Sequence, residues 1–118
     1  MQYKGCIVVQ GKPDVESYPK IKEGFSQYQL IHSCWVGDDI SFLDKNDIII
    51  QNEIPIDRGP QNFYMQKMST IEGIKMAQQL GWDRVLKWRS DMWCVNGEKL
   101  FDKFDNTKLN LYYWVAEL

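Results

Sequence analysis

The residues best suited to chemistry lie in one short stretch, residues 84–91, where an apolar strand pattern ends on the carboxylate of Asp91. Lys87 and Arg89 alternate along this strand just before its end. In open α/β sheets, ligands bind in the crevice beyond the carboxyl ends of the strands. A carboxylate among cations at such a position suits a phosphate group, often with a bound metal ion. The alternative is an ordinary surface ion pair in a polar loop.

A second candidate site follows the first apolar segment and consists of Gln10, Gly11 and Lys12. In a parallel α/β domain this loop belongs to the same ligand-binding edge. A glycine lets a base or ribose approach the backbone, and Lys12 can pair with phosphate. A plain turn is the alternative. The loop is neither GxGxxG nor a Walker loop, which argues against dinucleotide oxidoreductases and P-loop NTPases.

Two asparagines follow the same logic at other strand and helix ends. Asn52 ends the third apolar segment, and Asn62 opens the longest helical pattern. Amides near a helix N-terminus, with Arg58 close by, suit an anionic or hydroxyl-rich ligand. Asn62 is equally a candidate for the helix cap, and both interpretations can hold.

Three further polar residues fit structural roles better than chemical ones. Asp38 and Asp39 follow the second apolar segment and could hold a ribose or a metal ion. We favour a cap, because a helix beginning near Ile40 needs an oxygen acceptor for its first amides. His32 is flanked by strand residues, and a lone histidine there is more often a packing residue with a satisfied hydrogen bond than a catalytic base.

The composition excludes several classes of protein. A chain of 118 residues is one small domain or part of a larger one, and 44% hydrophobic with 25% charged residues is typical of a soluble globular protein. A net charge of −2 without a basic run argues against nucleic-acid binding. Neither a transmembrane segment nor a signal peptide is predicted. The chain has three cysteines, Cys6, Cys34 and Cys94. Their odd number and wide spacing predict reduced thiols in a cytoplasmic protein.

The elements that must position these groups alternate between strand and helix patterns. We predict strands at residues 5–10, 29–36, 47–52 and 84–89, and helices at 15–28 and 61–80. Pro19 fits the first turn of its helix, and Gly81 fits a C-terminal cap. This alternation predicts an α/β fold, a Rossmann-like, mainly parallel sheet with right-handed crossovers and helices on both faces.

The long helix has an apolar spacing that predicts its buried face. The positions recur at steps of three or four residues: Tyr64, Met68, Ile71, Ile74 and Ala77. Shorter elements are predicted elsewhere, as a helix or turn at 40–43, a helix at 98–104 and a late strand at 109–115. Because the chain ends on a strand-like aromatic segment, we expect a fragment or a shortened version of a larger domain. An open sheet edge there could pair with a missing segment or with a second copy.

Five segments together resemble the WavE-type lipopolysaccharide-synthesis proteins, a group of proposed glycosyltransferases. They are Ile-Val-Val-Gln-Gly at 7–11, Ser-Cys-Trp at 33–35, Asp-Ile-Ile-Ile-Gln-Asn at 47–52, Ser-Thr-Ile-Glu-Gly-Ile at 69–74 and Val-Leu-Lys-Trp-Arg-Ser-Asp at 85–91. Their order and spacing carry the resemblance, and the last segment is the most specific. The resemblance implies a glycosyltransferase type-A fold, in which a nucleotide-sugar binds over the first strands. Residues 1–118 would then be one nucleotide-sugar-binding domain, or the N-terminal half of a larger one.

The resemblance also implies a metal-binding DxD motif at the end of the fourth strand. Asp91 matches its last aspartate, but Arg89 fills the first acidic position. Two chemistries stay open. Asp91 could hold manganese or magnesium with waters completing the octahedron, or Lys87 and Arg89 could offset the diphosphate charge without a metal ion.

The implied activity is transfer of a sugar from a nucleoside diphosphate to the hydroxyl of a glycan acceptor, in the synthesis of a surface polysaccharide such as lipopolysaccharide. The catalytic base is unknown, and the available carboxylates are Asp102, Asp105 and Glu117. A noncatalytic α/β module that binds nucleotide or protein is one alternative. A nucleotidyltransferase-like enzyme is another, because fold alone does not separate these functions.

Overall fold

The computed structural model describes residues 2–93 and Lys99, and this part of the chain folds around a parallel sheet. The elements are β1 (Gly5–Gln10), α1 (Tyr18–Gly24), β2 (Tyr28–Trp35), β3 (Ile48–Asn52), a 3₁₀ turn (Pro60–Asn62), α2 (Phe63–Gln79) and β4 (Val85–Arg89). The described strands run in the order β3-β2-β1-β4, and every neighbouring pair is parallel. The predicted α/β fold with a parallel sheet is confirmed.

The pairing register brings the carboxyl ends of three strands to one edge. Gln10, the last residue of β1, lies opposite Ser33 of β2 and Arg89 of β4. The chain passes from β1 to β2 on one side of the sheet centre, and later returns through α2 to β4 on the other side. Crossovers of one hand that move in opposite directions place their helices on opposite faces.

The core confirms that helices cover both faces. One face packs α1 against the sheet and contains Ile7, Val9, Tyr18, Ile21, Phe25, Tyr28 and Leu30. The other packs α2 and contains Cys6, Val8, Ile31 and Ala77. Every residue of β1 is buried, because alternate side chains enter the two cores. This explains why β1 is a continuous apolar run in the sequence.

The predicted buried face of α2 is only partly confirmed, since Ala77 is buried and Met68 and Ile74 are half-buried. The side chains of Tyr64 and Ile71 are 44% and 41% exposed, and the buried residues are Ser69, Gly73 and Ala77. The reason is close packing: a Cβ added at Gly73 would collide with Cγ1 of Val8. The small residues of α2 therefore make its closest approach to the sheet, and Met76 packs partly buried against the same core.

The predicted ends of the elements are partly confirmed. α1 has Pro19 in its first turn, as predicted, but is shorter than residues 15–28. Gly81 has a φ of +93° and its amide donates to the Gln78 carbonyl at 3.0 Å, which confirms the cap. Residues 40–43 form a turn. The elements predicted at 98–104 and 109–115 lie outside the described residues, apart from Lys99. Within the described part, no helix has the length and apolar character needed to cross a membrane.

Candidate functional site

A cavity of about 420 Å³ opens between the carboxyl ends of β1 and β4. Its walls are residues 10–14 after β1, residues 89–91 at the end of β4, and Gln66 of α2. Because the chain continues from β1 to one side while β4 lies on the other, this is the topological switch point of the sheet. Ligands of open α/β sheets bind at that point, and the volume is in the usual range for a ligand pocket.

The cavity brings together most of the residues that the sequence identified. The predicted residues in its lining are Gln10, Gly11, Lys12, Arg89 and Asp91. They come from two loops separated by most of the chain, and the β1–β4 pairing makes them neighbours. The remaining candidates, which are Lys87, Asn52 and Asn62, lie outside this lining.

Gly11 is required where the two loops meet. Its φ is +112°, and a Cβ there would stand 2.9 Å from the hydroxyl oxygen of Ser90. The Gly11 amide donates to the Ser33 carbonyl at 3.1 Å, and the Ser90 amide donates to the Gln10 carbonyl at 3.0 Å. Any side chain at Gly11 would therefore be strained by the backbone conformation and would force the Ser90 hydroxyl to turn away.

Lys12 is the available cation of the β1 loop. It is exposed and makes no ion pair with any described residue. Asp14, by contrast, is occupied, since it accepts from the Ser17 hydroxyl at 2.5 Å and from the Ser17 amide at 3.2 Å. These hydrogen bonds from Ser17 hold the pKa of Asp14 below its ordinary value. Lys12 is thus the residue of this loop that can pair with an anionic ligand.

Arg89 and Asp91 form a two-point ion pair on the other wall. Nε of Arg89 donates to Oδ1 of Asp91 at 3.1 Å, and Nη2 donates to Oδ2 at 2.9 Å. Both side chains are more than half exposed, at 59% and 55%. The surface ion pair expected as the alternative is present, and it lies in the cavity wall.

The donors available here do not fit a divalent cation. Both carboxylate oxygens of Asp91 already accept from Arg89, and the guanidinium would lie beside any ion that Asp91 bound. In the described part of the chain, no group of three His, Cys, Asp or Glu residues is placed to hold a metal ion. A manganese or magnesium ion at Asp91 would have to displace Arg89 and then depend on water for its other ligands.

Lys87 lies two residues before Arg89 on β4, and therefore on the same face of the sheet. It is outside the cavity lining. Partial burial, together with the neighbouring charge of Arg89, lowers the pKa of Lys87 below its ordinary value. Lys87 therefore adds to the positive field of this strand without being a wall of the cavity.

The two asparagines are not part of the cavity. Asn52 is buried, and its Nδ2 donates to the Ser33 hydroxyl at 3.0 Å and to the Cys34 carbonyl at 2.8 Å. These bonds join β3 to β2, which is a structural role. Asn62 is at the N-cap of α2 with a φ of +61°, but its side chain makes no capping hydrogen bond. The predicted N-cap position of Asn62 is therefore confirmed, although its side chain does not satisfy a helix amide.

The other predicted polar roles are structural. Asp39 accepts from the Ser41 amide at 2.9 Å and from its hydroxyl at 2.6 Å, and Asp38 accepts from the Trp35 amide at 3.0 Å. The acidic pair therefore shapes a turn, although no helix follows it. Burial raises the pKa of the Cys6 thiol to about 12. A buried, protonated thiol of this kind is a packing residue.

A buried cluster around Asp47 had no counterpart among the predicted sites. Asp47 accepts hydrogen bonds from the Tyr18 hydroxyl at 2.7 Å and from Lys22 Nζ at 2.7 Å, and its Oδ2 lies 2.9 Å from His32 Nε2. His32 and Asp47 are 3% and 4% exposed. The packing interpretation of His32 is confirmed. We call these four residues the Asp47 cluster.

Besides Pro13, three residues of the cavity lining were not predicted as site residues: Asp14, Gln66 and Ser90. Ser90 lies between Arg89 and Asp91 at the end of the fourth strand, so its position in the sequence was enough to predict it as a site residue. For Asp14, the only feature of the sequence that indicated a site was its nearness to Lys12. No feature of the sequence indicated Gln66, because its place in the cavity depends on how α2 crosses the sheet.

Comparison with protein-family models, with curated proteins and with solved structures finds no match to this chain. Function is therefore inferred from the cavity itself. Lys12 brings a cation from the loop after β1, Arg89 brings one from the end of β4, and Ser90 adds a hydroxyl. Such a set of donors suits a ligand with more than one phosphate oxygen.

Proposed function

We propose that this chain is the donor-binding domain of a glycosyltransferase. It takes a nucleoside-diphosphate sugar into the cavity, for transfer of the sugar to a glycan or polysaccharide acceptor. The observation that carries the proposal is the meeting of Lys12 and Arg89 at the switch point of a parallel sheet. The resemblance to WavE-type proteins favours a glycosyltransferase over other users of nucleotides. We also propose, from the same resemblance, that this chain acts in lipopolysaccharide synthesis in the cytoplasm.

The diphosphate is the part of the donor that the cavity suits best. Lys12 approaches from the β1 loop and Arg89 from β4, so a diphosphate across the β1–β4 boundary meets a cation at each end. The lining also contains two carboxylates, of which Asp91 is paired with Arg89 and Asp14 accepts from Ser17 while keeping its charge. The diphosphate is therefore attracted by direct contact with Lys12 and Arg89, not by a net positive charge of the lining. The positive field of Lys87 lies on the same strand.

In transfer, the leaving group is the nucleoside diphosphate. The negative charge that develops on it is stabilised by Lys12 and Arg89, which are in place before the reaction. The cavity walls fix the orientation of the donor. The carboxylates considered as the base, Asp102, Asp105 and Glu117, lie outside the described residues.

A noncatalytic nucleotide-binding module is the second candidate. One observation favours it: both carboxylates of the cavity lining, Asp14 and Asp91, are already hydrogen-bonded to neighbouring side chains. A carboxylate that already accepts hydrogen bonds from a neighbouring side chain is less available to take a proton from an acceptor hydroxyl. Under this alternative the chain binds the donor, and a carboxylate from elsewhere completes the reaction.

Binding is tested by isothermal titration calorimetry with UDP, GDP, CDP and TDP. We expect one of them to bind, and Lys12→Gln to weaken it by about tenfold, the effect of losing a hydrogen bond to a charged group. Lys75→Gln is the matched control, because Lys75 is exposed on α2 and, among the described residues, pairs with Glu72 alone. Equal effects of the two substitutions, or no binding of any diphosphate, would contradict the proposal.

Catalysis is tested separately by following sugar release from the matching nucleotide-sugar, using chromatography of the products. Release or transfer of the sugar supports the glycosyltransferase. Tight binding without release supports the noncatalytic module. Release of a nucleoside monophosphate together with a sugar phosphate would instead identify a hydrolase. A nucleotidyltransferase-like enzyme would release pyrophosphate when given a nucleoside triphosphate and a sugar phosphate.

A further inference from the structure

We infer that Arg89, held by Asp91, neutralises the donor diphosphate in place of a divalent cation, so that diphosphate binding needs no metal ion. The inference rests on the proposed function of the cavity and states how that site handles charge. It makes Arg89 a direct contact of the diphosphate. It makes Asp91 a positioning residue for Arg89, in contrast to the metal ligand that the resemblance implies.

The geometry of the ion pair leaves Arg89 able to bind a second anion. A guanidinium has five N–H donors, and the bond to Asp91 uses one on Nε and one on Nη2. The other three stay available on a side chain that is 59% exposed and lines the cavity. The planar fork of arginine matches two phosphate oxygens, so one guanidinium can bridge Asp91 and a diphosphate.

The same geometry disfavours a metal ion. A dication bound to Asp91 would take the oxygens that now accept from Arg89, and would place two further positive charges beside the displaced guanidinium. Lys12 lines the same cavity and would add to the repulsion. The other carboxylate in the lining, Asp14, is held by Ser17. The cavity is thus arranged for a ligand that is itself negative.

Asp91 has two opposing effects on an anionic ligand in this arrangement. It holds Arg89 in one orientation, which helps binding, and its own negative charge repels the ligand. Removing the charge with Asp91→Asn should therefore change the dissociation constant little. A metal ligand would behave differently, because its loss would remove the ion on which binding depended.

The experiment is calorimetric titration of the full chain with UDP, GDP, CDP and TDP, in EDTA and again in manganese. We expect the diphosphate that binds to have the same dissociation constant in both buffers, within about twofold. Binding at least about tenfold tighter in manganese would overturn this inference while leaving the proposed function intact. Failure of all four diphosphates in both buffers would overturn the proposed function, and the inference with it.

Two variants separate the role of the arginine from that of the aspartate. Arg89→Gln should weaken binding by at least about tenfold in either buffer. Arg84→Gln removes the same charge at the opposite end of β4 and should leave the constant within about twofold of the wild type. Asp91→Asn should stay within about threefold in either buffer. If Asp91→Asn weakened diphosphate binding by more than about tenfold in manganese, the inference would be contradicted. Thermal melts of all three variants check that each is folded.

Discussion

The cavity and the Asp47 cluster contain the same kinds of charged residue and use them in opposite ways. In the cluster, Asp47 and His32 are 4% and 3% exposed, and Asp47 meets three hydrogen-bonding partners. In the cavity wall, Arg89 and Asp91 are more than half exposed, and Lys12 has no ion-pair partner in the described part of the chain. Burial with complete pairing stabilises a fold, whereas exposure leaves charge available to a ligand.

The comparison teaches which substitutions should affect which property. A buried charge that loses its partners retains a desolvation cost that nothing offsets, so breaking such a cluster lowers the free energy of unfolding strongly. An exposed ion pair contributes between zero and about 1 kcal/mol. Changes in the Asp47 cluster should therefore alter stability, and changes in the cavity wall should alter binding.

The largest expected effect is that of Asp47→Ala. The substitution leaves Lys22, His32 and Tyr18 without their shared acceptor, and we expect the free energy of unfolding to fall by about 3 kcal/mol. This is the low end of the range for broken buried pairs, because the side chain of Lys22 is 34% exposed and can reach water. Urea denaturation followed by circular dichroism measures the change.

The matched control is Asp83→Ala, at an exposed position just before β4. It should change the free energy of unfolding by no more than about 0.5 kcal/mol. If the two alanine variants lost the same amount of stability, the distinction between buried and exposed carboxylates in this chain would be wrong.

Gly73→Ala should have the next largest effect. The new methyl group would collide with Cγ1 of Val8, and overpacking of this kind costs about 1–3 kcal/mol. The gain of about 1 kcal/mol in helix propensity offsets part of that cost, so we expect a net loss of about 1 kcal/mol. Because α2 carries Gln66 into the cavity, diphosphate binding should weaken as well. An unchanged melting temperature would show that α2 does not rest on the sheet at this residue.

The charge of Asp47 should also make stability depend on pH. Burial alone would raise the pKa of Asp47, but the hydrogen bonds from His32, Lys22 and Tyr18 outweigh it and hold the pKa below 3.8. A lowered carboxyl pKa stabilises the folded state above the unfolded value, and this stability is lost as the pH falls through the folded-state pKa.

The test is to compare the wild type with Asp47→Asn at pH 7, 5 and 3. The difference between their free energies of unfolding should have its largest value at pH 7 and pH 5 and should become smaller below about pH 4. Asp14 and Asp39, whose pKa values are also lowered, are present in both proteins, so their contribution cancels. A difference that grew on acidification would contradict the assignment.

The smallest expected effect on stability is that of the cavity ion pair. Asp91→Asn should lower the free energy of unfolding by less than about 1 kcal/mol, because both partners are exposed to solvent. Arg89→Gln should do the same, while weakening diphosphate binding. A loss approaching that of Asp47→Ala would mean that this pair is a structural element, and the contrast between the two regions would fail.

The parts of the fold that could be predicted from the sequence are those that local patterns determine. β1 is apolar throughout because both of its faces are buried, and Gly81 marks the end of α2 because its φ is positive. The cavity loops were also predictable, since the carboxyl ends of parallel strands meet at one edge. Gln10–Lys12 and Arg89–Asp91 come together for that reason alone.

The remainder depended on contacts between distant parts of the chain. The buried face of α2 follows from the approach of Gly73 to Val8, which apolar spacing does not reveal. The sequence predicts a ligand contact at Asn52 because this residue ends a strand, but β2 supplies its side chain with hydrogen-bond acceptors. The partners of Asp47 lie 15 to 29 positions away along the chain, so the contact between His32 and Asp47 could not be predicted from the sequence around either residue.

The most direct test of the central claim is a two-dimensional ¹⁵N NMR titration of the labelled chain with UDP, GDP, CDP and TDP. The proposal predicts that one diphosphate shifts the amide signals of residues 10–12 and 89–91, on the two cavity walls. The amides of His32 and Asp47 should stay in place. Shifts centred on the Asp47 cluster, or no shifts with any diphosphate, would contradict a diphosphate site between β1 and β4.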